Sequence, residues 1–204
     1  MMITRIEEIN RKKSWIYIQD EKAFVLYKGE IRQYQLKEGE DISDETYERI
    51  MKETLCKRAR RRAMYLLQSM DRTQRQLEDK LRQNEYPVRA IEDAIAYVKQ
   101  YGYINDEKFA RAYVESRFHI KNKRQLKIDL MRKGIDSEMI QAVLENEEYQ
   151  IDECELIQKW IDKKNIDIEN TSRENLYKLY RFLLKKGFSH ENIDKKLGFY
   201  RHNV

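Results

Sequence analysis

The side chains that could do acid–base, nucleophilic or metal chemistry are scattered along this chain. The three histidines are His119, His190 and His202, and the two cysteines are Cys56 and Cys154. Neither an HExxH nor a CxxC spacing joins them, and the sequence contains no glycine-rich phosphate loop. We therefore expect no enzymatic activity, no metal site and no cofactor, with both cysteines in the reduced state.

Lysine and arginine residues, in contrast, form two dense clusters. Residues 57–75 contain seven of them against one aspartate, residues 117–133 again contain seven against one, and the net charge is +5. Such clusters suit a phosphate backbone or an acidic protein surface, although solubility and ion pairing explain them equally well. The candidate contacts to a partner or to DNA are Arg72, Arg75, Arg117, Lys121, Lys123, Arg124, Lys127, Arg132 and Lys133.

These basic candidates flank helix-capping patterns that recur along the chain. Thr73–Gln76, Asn122–Gln125 and Thr171–Glu174 each pair a capping side chain with Gln or Glu three residues later. The pairs are spaced 49 residues apart, twice. This spacing predicts a tandem helical repeat, whose third copy has only Arg173 at the basic flank.

Apolar residues and glycines follow each capping pattern in the same order. Gly134 and Gly187 predict left-handed residues that end a helix, and Glu85 stands at this place in the first copy. The buried leucines of the third copy come four residues late, which predicts one inserted helical turn. The matched leucines are Leu77 and Leu81, then Leu126 and Leu130, then Leu179 and Leu183.

Two further helices complete each predicted unit. The helix after the leucines begins at Pro87, Asp136 or Ser189, which are all residues that favour helix starts. The helix before them has Ala63, Ala112 and Ile161 in register. The predicted buried face of the last helix is Ile91, Ala94 and Ile95, then Ile140, Val143 and Leu144, then Ile193 and Leu197.

The first 40 residues have a different pattern. Residues 15–18 and 23–27 are short aromatic and β-branched runs separated by turn residues, which indicate antiparallel strands. Ile31, Tyr34 and Leu36 indicate a further strand after a turn at residues 28–30, and residues 3–9 could form another. A helix capped at Ser43 or at Asp44 then follows. It continues to about Ser69, or alternatively is kinked or interrupted near Lys57.

The sequence thus predicts a mainly all-α protein. Three tandem three-helix repeats form an elongated, curved array, preceded by a small N-terminal antiparallel β segment. The expected divisions are 1–40 for the β segment, 41–100 for the linking helix and repeat 1, 101–150 for repeat 2 and 151–204 for repeat 3. No apolar run approaches the length of a membrane span, and no signal peptide is present, so we expect a cytoplasmic protein without membrane contact.

The segment GYINDEKFARAYVESR, residues 102–117, carries the most information. Gly102 ends one helix, Asn105 or Asp106 caps the next, and Phe109, Ala112 and Tyr113 are expected on one face. An inter-repeat elbow explains these features better than a catalytic role.

This segment, with AMYLL…DRTQRQLEDKL before it and LKIDLMRKGIDSEMIQAVL after it, resembles the RecX family of bacterial RecA regulators. The resemblance covers about residues 57–200 and is most specific in the middle repeat. It implies mainly structural roles for the motif residues Gly102, Tyr103, Ile104, Asn105, Asp106, Phe109, Ala110 and Tyr113. Two departures concern helix boundaries: Glu85 replaces a glycine, and the glycine that the family often has near residues 122–123 is absent.

The resemblance implies a monomeric regulator that binds in the groove of the RecA–single-stranded DNA filament. It implies inhibition of ATP hydrolysis, strand exchange and co-protease activity, and so regulation of DNA repair, recombination and the SOS response. Direct contact with DNA is a further implication. The alternatives are a general nucleic-acid-binding helical repeat protein without a specific recombinase partner, and a scaffold for another helical protein.

Overall fold

The computed structural model describes residues 1–145 and 151–198. The chain divides into two compact units, Met1–Asn105 and a second that begins at Asp106. The predicted end of repeat 2 at residue 150, the predicted end of repeat 3 at residue 204 and His202 lie outside the described residues.

The first unit opens with a three-stranded antiparallel sheet in the order β1-β2-β3. The strands are β1 (Ile3–Glu8), β2 (Lys13–Ile18) and β3 (Glu21–Tyr27). Gln19 and Asp20, with φ of 51° and 65°, form the tight turn between β2 and β3, as a two-residue hairpin turn requires. The predicted N-terminal antiparallel segment is confirmed.

The strand predicted at Ile31, Tyr34 and Leu36 is wrong. Helix α1 covers Lys28–Gln33, and the Glu30 carboxylate accepts from the Tyr27 backbone nitrogen at 2.8 Å at its N-terminus. Ile31 and Tyr34 are three residues apart, so one helical turn brings both to the same side. Tyr34 and Leu36 are buried against the core, which explains the apolar pattern without a strand.

A continuous helical segment follows, made of α2 (Asp44–Arg49), a π-helical stretch (Ile50–Cys56) and α3 (Lys57–Ser69). The Ser43 hydroxyl accepts from the Thr46 nitrogen at 3.1 Å, as predicted for the cap. The segment is not interrupted near Lys57. The hydrogen bonding changes there from the wider π pattern back to the α pattern.

Helices α4 (Gln74–Gln83) and α5 (Val88–Gln100) complete the first repeat with α3. Their apolar faces and the inner face of the sheet form a single core, so the sheet is packed on the first repeat rather than standing apart. Members of this core include Phe24, Leu26, Ile50, Leu77, Leu81, Ile91, Ala94 and Ile95.

The second unit contains two more three-helix repeats, which confirms the predicted fold class. The second repeat consists of α6 (Asp106–Glu115), α7 (Lys123–Arg132) and α8 (Ser137–Leu144). The third consists of α9 (Glu153–Lys163), α10 (Arg173–Lys185) and α11 (His190–Leu197). Each repeat has its own core, and Ile151 packs against both.

Two details of the predicted repeat are wrong. Helix α10 is capped by Ser172, whose hydroxyl accepts from the Asn175 nitrogen at 3.3 Å, and not by Thr171. Ala112 is exposed, while Ala110 and Val114 are the buried residues of α6. The predicted extra turn is present, because α10 has 13 residues and α7 has 10.

Candidate partner-binding surface

Helix α7 carries the main group of exposed cations in the second repeat. Its start is fixed by a capping box, in which Asn122 Oδ1 accepts from the Gln125 nitrogen at 2.8 Å and Gln125 Oε1 accepts from the Asn122 nitrogen at 3.3 Å. This confirms the cap predicted for the helix. Lys123, Arg124 and Arg132 are exposed and Lys127 is half-buried.

The N-terminal end of α7 also packs against the third repeat. Asn122, which is fully buried, donates from Nδ2 to the Lys186 backbone oxygen at 3.2 Å. Gly187 has a φ of +88°, and a Cβ at this position would lie 2.9 Å from Cδ of Arg124. The stem of Arg124 therefore covers the end of α10, so this candidate is a packing residue as well as a cation.

Lys121 forms an ion pair within the second repeat. Its ammonium contacts Asp129 Oδ2, and the Tyr113 hydroxyl donates to the same oxygen at 3.0 Å. Burial favours a raised pKa of Asp129, but the hydrogen bonds from Lys121 and Tyr113 outweigh it and lower that pKa. The hydrogen bond to Asp129 raises the pKa of Lys121. The positive charge of Lys121 is thus balanced by a carboxylate inside the second repeat.

Two other candidates lie over aromatic rings. Phe109 and Tyr113 are stacked, with ring centroids 6.4 Å apart and planes 10° apart. The Arg117 guanidinium carbon is 4.7 Å from the Tyr113 centroid, and Lys133 Nζ is 5.1 Å from it and 5.6 Å from that of Phe109. Cation–π contacts of this kind stabilise by about 0.5–1 kcal/mol at exposed sites. The arrangement fixes cations beside a ring surface.

The third repeat has a cluster that the sequence analysis missed. Trp160 and Phe182 meet edge to face, with centroids 5.2 Å apart. Lys164 Nζ lies 4.3 Å from the Phe182 centroid, and the ammonium groups of Lys163 and Lys186 lie 5.3 and 5.0 Å from that of Trp160. The third repeat is therefore not poor in cations. They lie at other positions than the flank marked by Arg173.

An alignment of α6 with α9 by their buried residues would have revealed this cluster from the sequence. Tyr113 precedes the buried Val114, and Trp160 precedes the buried Ile161 in the same way. In both repeats the lysine before the helix-ending glycine lies over this aromatic residue. The strict 49-residue period aligned Ala112 with Ile161 instead and so hid the match.

The two candidates of the first repeat have local partners. Arg72 Nε donates to the Leu66 backbone oxygen at 3.4 Å, and Arg75 Nε is 3.5 Å from Asp79 Oδ1. Both belong to the first unit, whereas the other seven candidates belong to the second. A basic stripe that runs through the repeats stays a prediction.

The segment of residues 102–117 is built around a helix end and a helix start. Gly102 has a φ of +69°, and the Tyr103 nitrogen donates to the Val98 oxygen at 2.9 Å, which closes α5. Helix α6 begins at Asp106, directly after Asn105. The predicted helix end and helix start are therefore present, and the elbow between the repeats stays a prediction.

Side chains of this segment contribute to two different cores. Ile104 is buried in the core of the first unit, and Ala110 is buried in the core of the second repeat. Phe109 and Tyr113 are half-buried on one side of α6, and the predicted third member of that face, Ala112, is exposed. The predicted face is correct in its two aromatic residues.

Within the described ranges, no three His, Cys, Asp or Glu side chains gather where they could hold a metal ion. Nor does any described helix combine the length and apolar character that crossing a membrane requires.

Comparison with known proteins decides the family. Sequence models of the first, second and third three-helix domains of RecX match residues 59–97, 105–144 and 151–197 in turn. A regulatory protein RecX from Caldanaerobacter subterraneus subsp. tengcongensis is 33% identical over 202 residues, which cover 97% of this chain and 99% of that protein. The chain belongs to the RecX family.

Other RecX proteins support the assignment. Regulatory protein RecX of Clostridium beijerinckii is 26% identical over an aligned region that covers 91% of this chain and 88% of that protein. A crystal structure of regulatory protein RecX has a TM-score of 0.62 at 22% identity and covers 97% of this chain and 98% of that one. A second, RecX from Lactobacillus salivarius, has a TM-score of 0.57 at 26% identity, with 71% and 95% covered.

Proposed function

We propose that this RecX protein binds the filament that RecA forms on single-stranded DNA and restrains its ATPase, strand-exchange and co-protease activities. In this way it regulates DNA repair, recombination and the SOS response in the cytoplasm, acting as a monomer and not as an enzyme. The observation that carries the proposal is membership of a family of regulatory proteins over 97% of the chain.

The second repeat supplies a surface suited to such a filament. Lys123 and Lys127 lie one helical turn apart on the same side of α7, the first exposed and the second half-buried. The rings of Phe109 and Tyr113, with Arg117 and Lys133 over them, lie in the same repeat. The cations of this repeat can bind acidic protein side chains and phosphates together, which is what a nucleoprotein filament offers.

ATP hydrolysis by RecA on single-stranded DNA, with this protein added, tests the proposal. We expect the rate to fall when the added protein is less abundant than RecA. The double variant Lys123→Glu/Lys127→Glu should require at least about tenfold more protein for the same inhibition, since two charge reversals remove attraction and add repulsion. Arg124 is left unchanged because its stem packs on Gly187.

Arg11→Glu/Lys12→Glu is the matched control, because it makes the same charge change at exposed residues between β1 and β2. It should inhibit like the unchanged protein. If the unchanged protein leaves hydrolysis unaltered even at a concentration equal to that of RecA, the proposal is wrong.

The cation–aromatic clusters of the second and third repeats favour one further candidate function, general nucleic-acid binding without a specific recombinase partner. The salt dependence of the binding affinity distinguishes general nucleic-acid binding from binding to the RecA filament. Binding to single strands through phosphate contacts alone weakens by about 0.7 log units per contact for each tenfold rise in salt. Binding to a filament through both protein and DNA should show a smaller slope.

A further inference from the structure

An open, basic groove lies between α3 and α5 in the first unit. Its volume is about 380 Å³. The cations that line it come from the start of α3, and none of its described lining residues is a carboxylate. The lining residues that matter here are Lys57, Arg60, Arg61, Tyr65 and Tyr97.

The cations of this groove differ in pairing and in exposure to solvent. Arg60 donates from Nε and Nη2 to the two carboxylate oxygens of Asp93, both at 2.6 Å, and its guanidinium carbon is 5.0 Å from the Tyr97 centroid. Arg60 is therefore neutralised and holds the Tyr97 ring in place. Lys57 and Arg61 are exposed and leave the groove with a positive charge.

A series of tyrosine rings leads out of the groove. The centroids of Tyr97 and Tyr101 are 4.8 Å apart, and those of Tyr101 and Tyr103 are 6.2 Å apart. Tyr101 is 58% exposed and Tyr103 is 52% exposed, while Tyr65, on the α3 side of the groove, is 63% exposed. So many exposed rings beside one groove form an apolar surface that a partner would cover.

We propose that this groove and its tyrosine series bind single-stranded nucleic acid. Bases stack on the rings of Tyr101 and Tyr103, and phosphates contact Lys57 and Arg61. The family resemblance implies contact with DNA but no residues for it. This groove assigns that contact to named residues of the first unit, with the strand itself as ligand and without the recombinase.

The chemistry of the site favours this occupant over two others. A duplex keeps its base faces stacked inside the helix, so exposed tyrosine rings give it nothing to bind. An acidic peptide would use Lys57 and Arg61 but not a series of ring faces. A single strand uses both, since unpaired bases stack on aromatic side chains while its phosphates follow the positive charge.

Fluorescence anisotropy with the full chain and a labelled thymidine oligonucleotide of about 20 residues, without recombinase, tests this site. We expect the single strand to bind at least about tenfold more tightly than a duplex of the same length. Tyr101→Ala and Tyr103→Ala should each weaken binding by about fivefold or more, the low end of one lost stacking contact. Tyr101→Phe and Tyr103→Phe keep the ring and should bind as before.

Lys57→Glu/Arg61→Glu should also weaken strand binding and reduce its salt slope. The control Arg11→Glu/Lys12→Glu changes the charge of the same unit equally and should bind nearly as well as the unchanged protein. Thermal melting followed by circular dichroism verifies that each variant is folded.

The proposal is overturned if the alanine variants bind the strand like the unchanged protein, or if strand and duplex bind equally. It is also overturned if a polyglutamate peptide displaces the strand as effectively per charge as unlabelled strand does. These outcomes leave the effect on RecA ATP hydrolysis untouched, so failure of this site and failure of the proposed function are distinguishable.

Discussion

Many lysine and arginine side chains of this protein pack on rings or meet carboxylates within the chain. Arg5 lies 3.9 Å from the centroid of Tyr17, and Lys164 lies 4.3 Å from that of Phe182. Arg60 and Lys121 are paired with Asp93 and Asp129. The sequence identified where cations concentrate, but only the tertiary structure separates those that are paired from those that face solvent.

The ion pair of Arg89 and Glu48 gives a pH-dependent prediction. Arg89 Nη2 donates to Glu48 Oε2 at 2.8 Å, and this hydrogen bonding lowers the pKa of Glu48 from 4.5 to about 2. Because the folded pKa lies below the unfolded one, the pair stabilises the fold above about pH 4.5, and this contribution is lost as the pH falls toward about 2.

Glu48→Gln should therefore be less stable than the unchanged protein at neutral pH, and the difference should shrink as the pH is lowered through this window. Urea denaturation at a series of pH values measures it. The effect will be small, because both side chains are partly exposed. A stability difference that stays constant down to about pH 3 would show that the pair does not titrate this way.

At the scale of elements, the sequence predicted best where a local pattern determines the geometry. The Thr73 and Asn122 capping boxes are present, and their helices bury the expected leucines. Gly134 and Gly187 have the left-handed φ predicted for them, and Glu85 adopts a φ of 65° at the matching place. Each of these features depends on a few neighbouring residues, which a sequence displays directly.

The predictions were wrong where two neighbouring residues suit the same role equally, or where the loops differ in length between repeats. Thr171 and Ser172 can both cap a helix, and a pattern of residue types does not rank them. Ala112 was misplaced because the connections before the second helices differ: residues 70–73, 116–122 and 164–172. A fixed period does not describe repeats joined by loops of unequal length.

Two helix caps of the second unit should differ in their effect on stability. Asn122 is fully buried and also donates to the Lys186 oxygen, whereas Ser172 is exposed and caps only its own helix. Asn122→Ala should cost about 2–4 kcal/mol, since it removes a buried cap and leaves the part-buried Lys186 carbonyl without this donor. Ser172→Ala should cost about 1 kcal/mol.

Urea denaturation in a Trp15→Phe background measures this difference, because Trp160 is then the single tryptophan and reports on the second unit. Equal losses for the two variants would mean that the hydrogen bond from Asn122 to the third repeat contributes nothing.

At the scale of the whole molecule, the pattern of apolar residues indicated which faces are buried but not what covers them. Residues 1–40 looked like a segment of their own, yet the inner face of the sheet shares its core with the first repeat. The structure divides into two units near Asn105. The predicted boundaries at residues 40, 100 and 150 stay a prediction about folding units.

The two proposals place different partners on different units. The recombinase filament is assigned to the cations of α7 in the second repeat, and the single strand to the groove of the first. The separation predicts that variants of one surface affect one ligand more than the other. This selectivity is what distinguishes a regulator of a nucleoprotein filament from a general nucleic-acid-binding protein.

Equilibrium binding of the labelled protein to preassembled RecA filaments and to bare single-stranded DNA, at about 50 and 300 mM salt, tests the central claim most directly. The account predicts tighter binding to the filament at both salt concentrations and a smaller salt slope than on the bare strand. It also predicts that Lys123→Glu/Lys127→Glu weakens filament binding more than strand binding. Equal affinity for filament and strand, with the same salt slope, would show that the recombinase is not the partner.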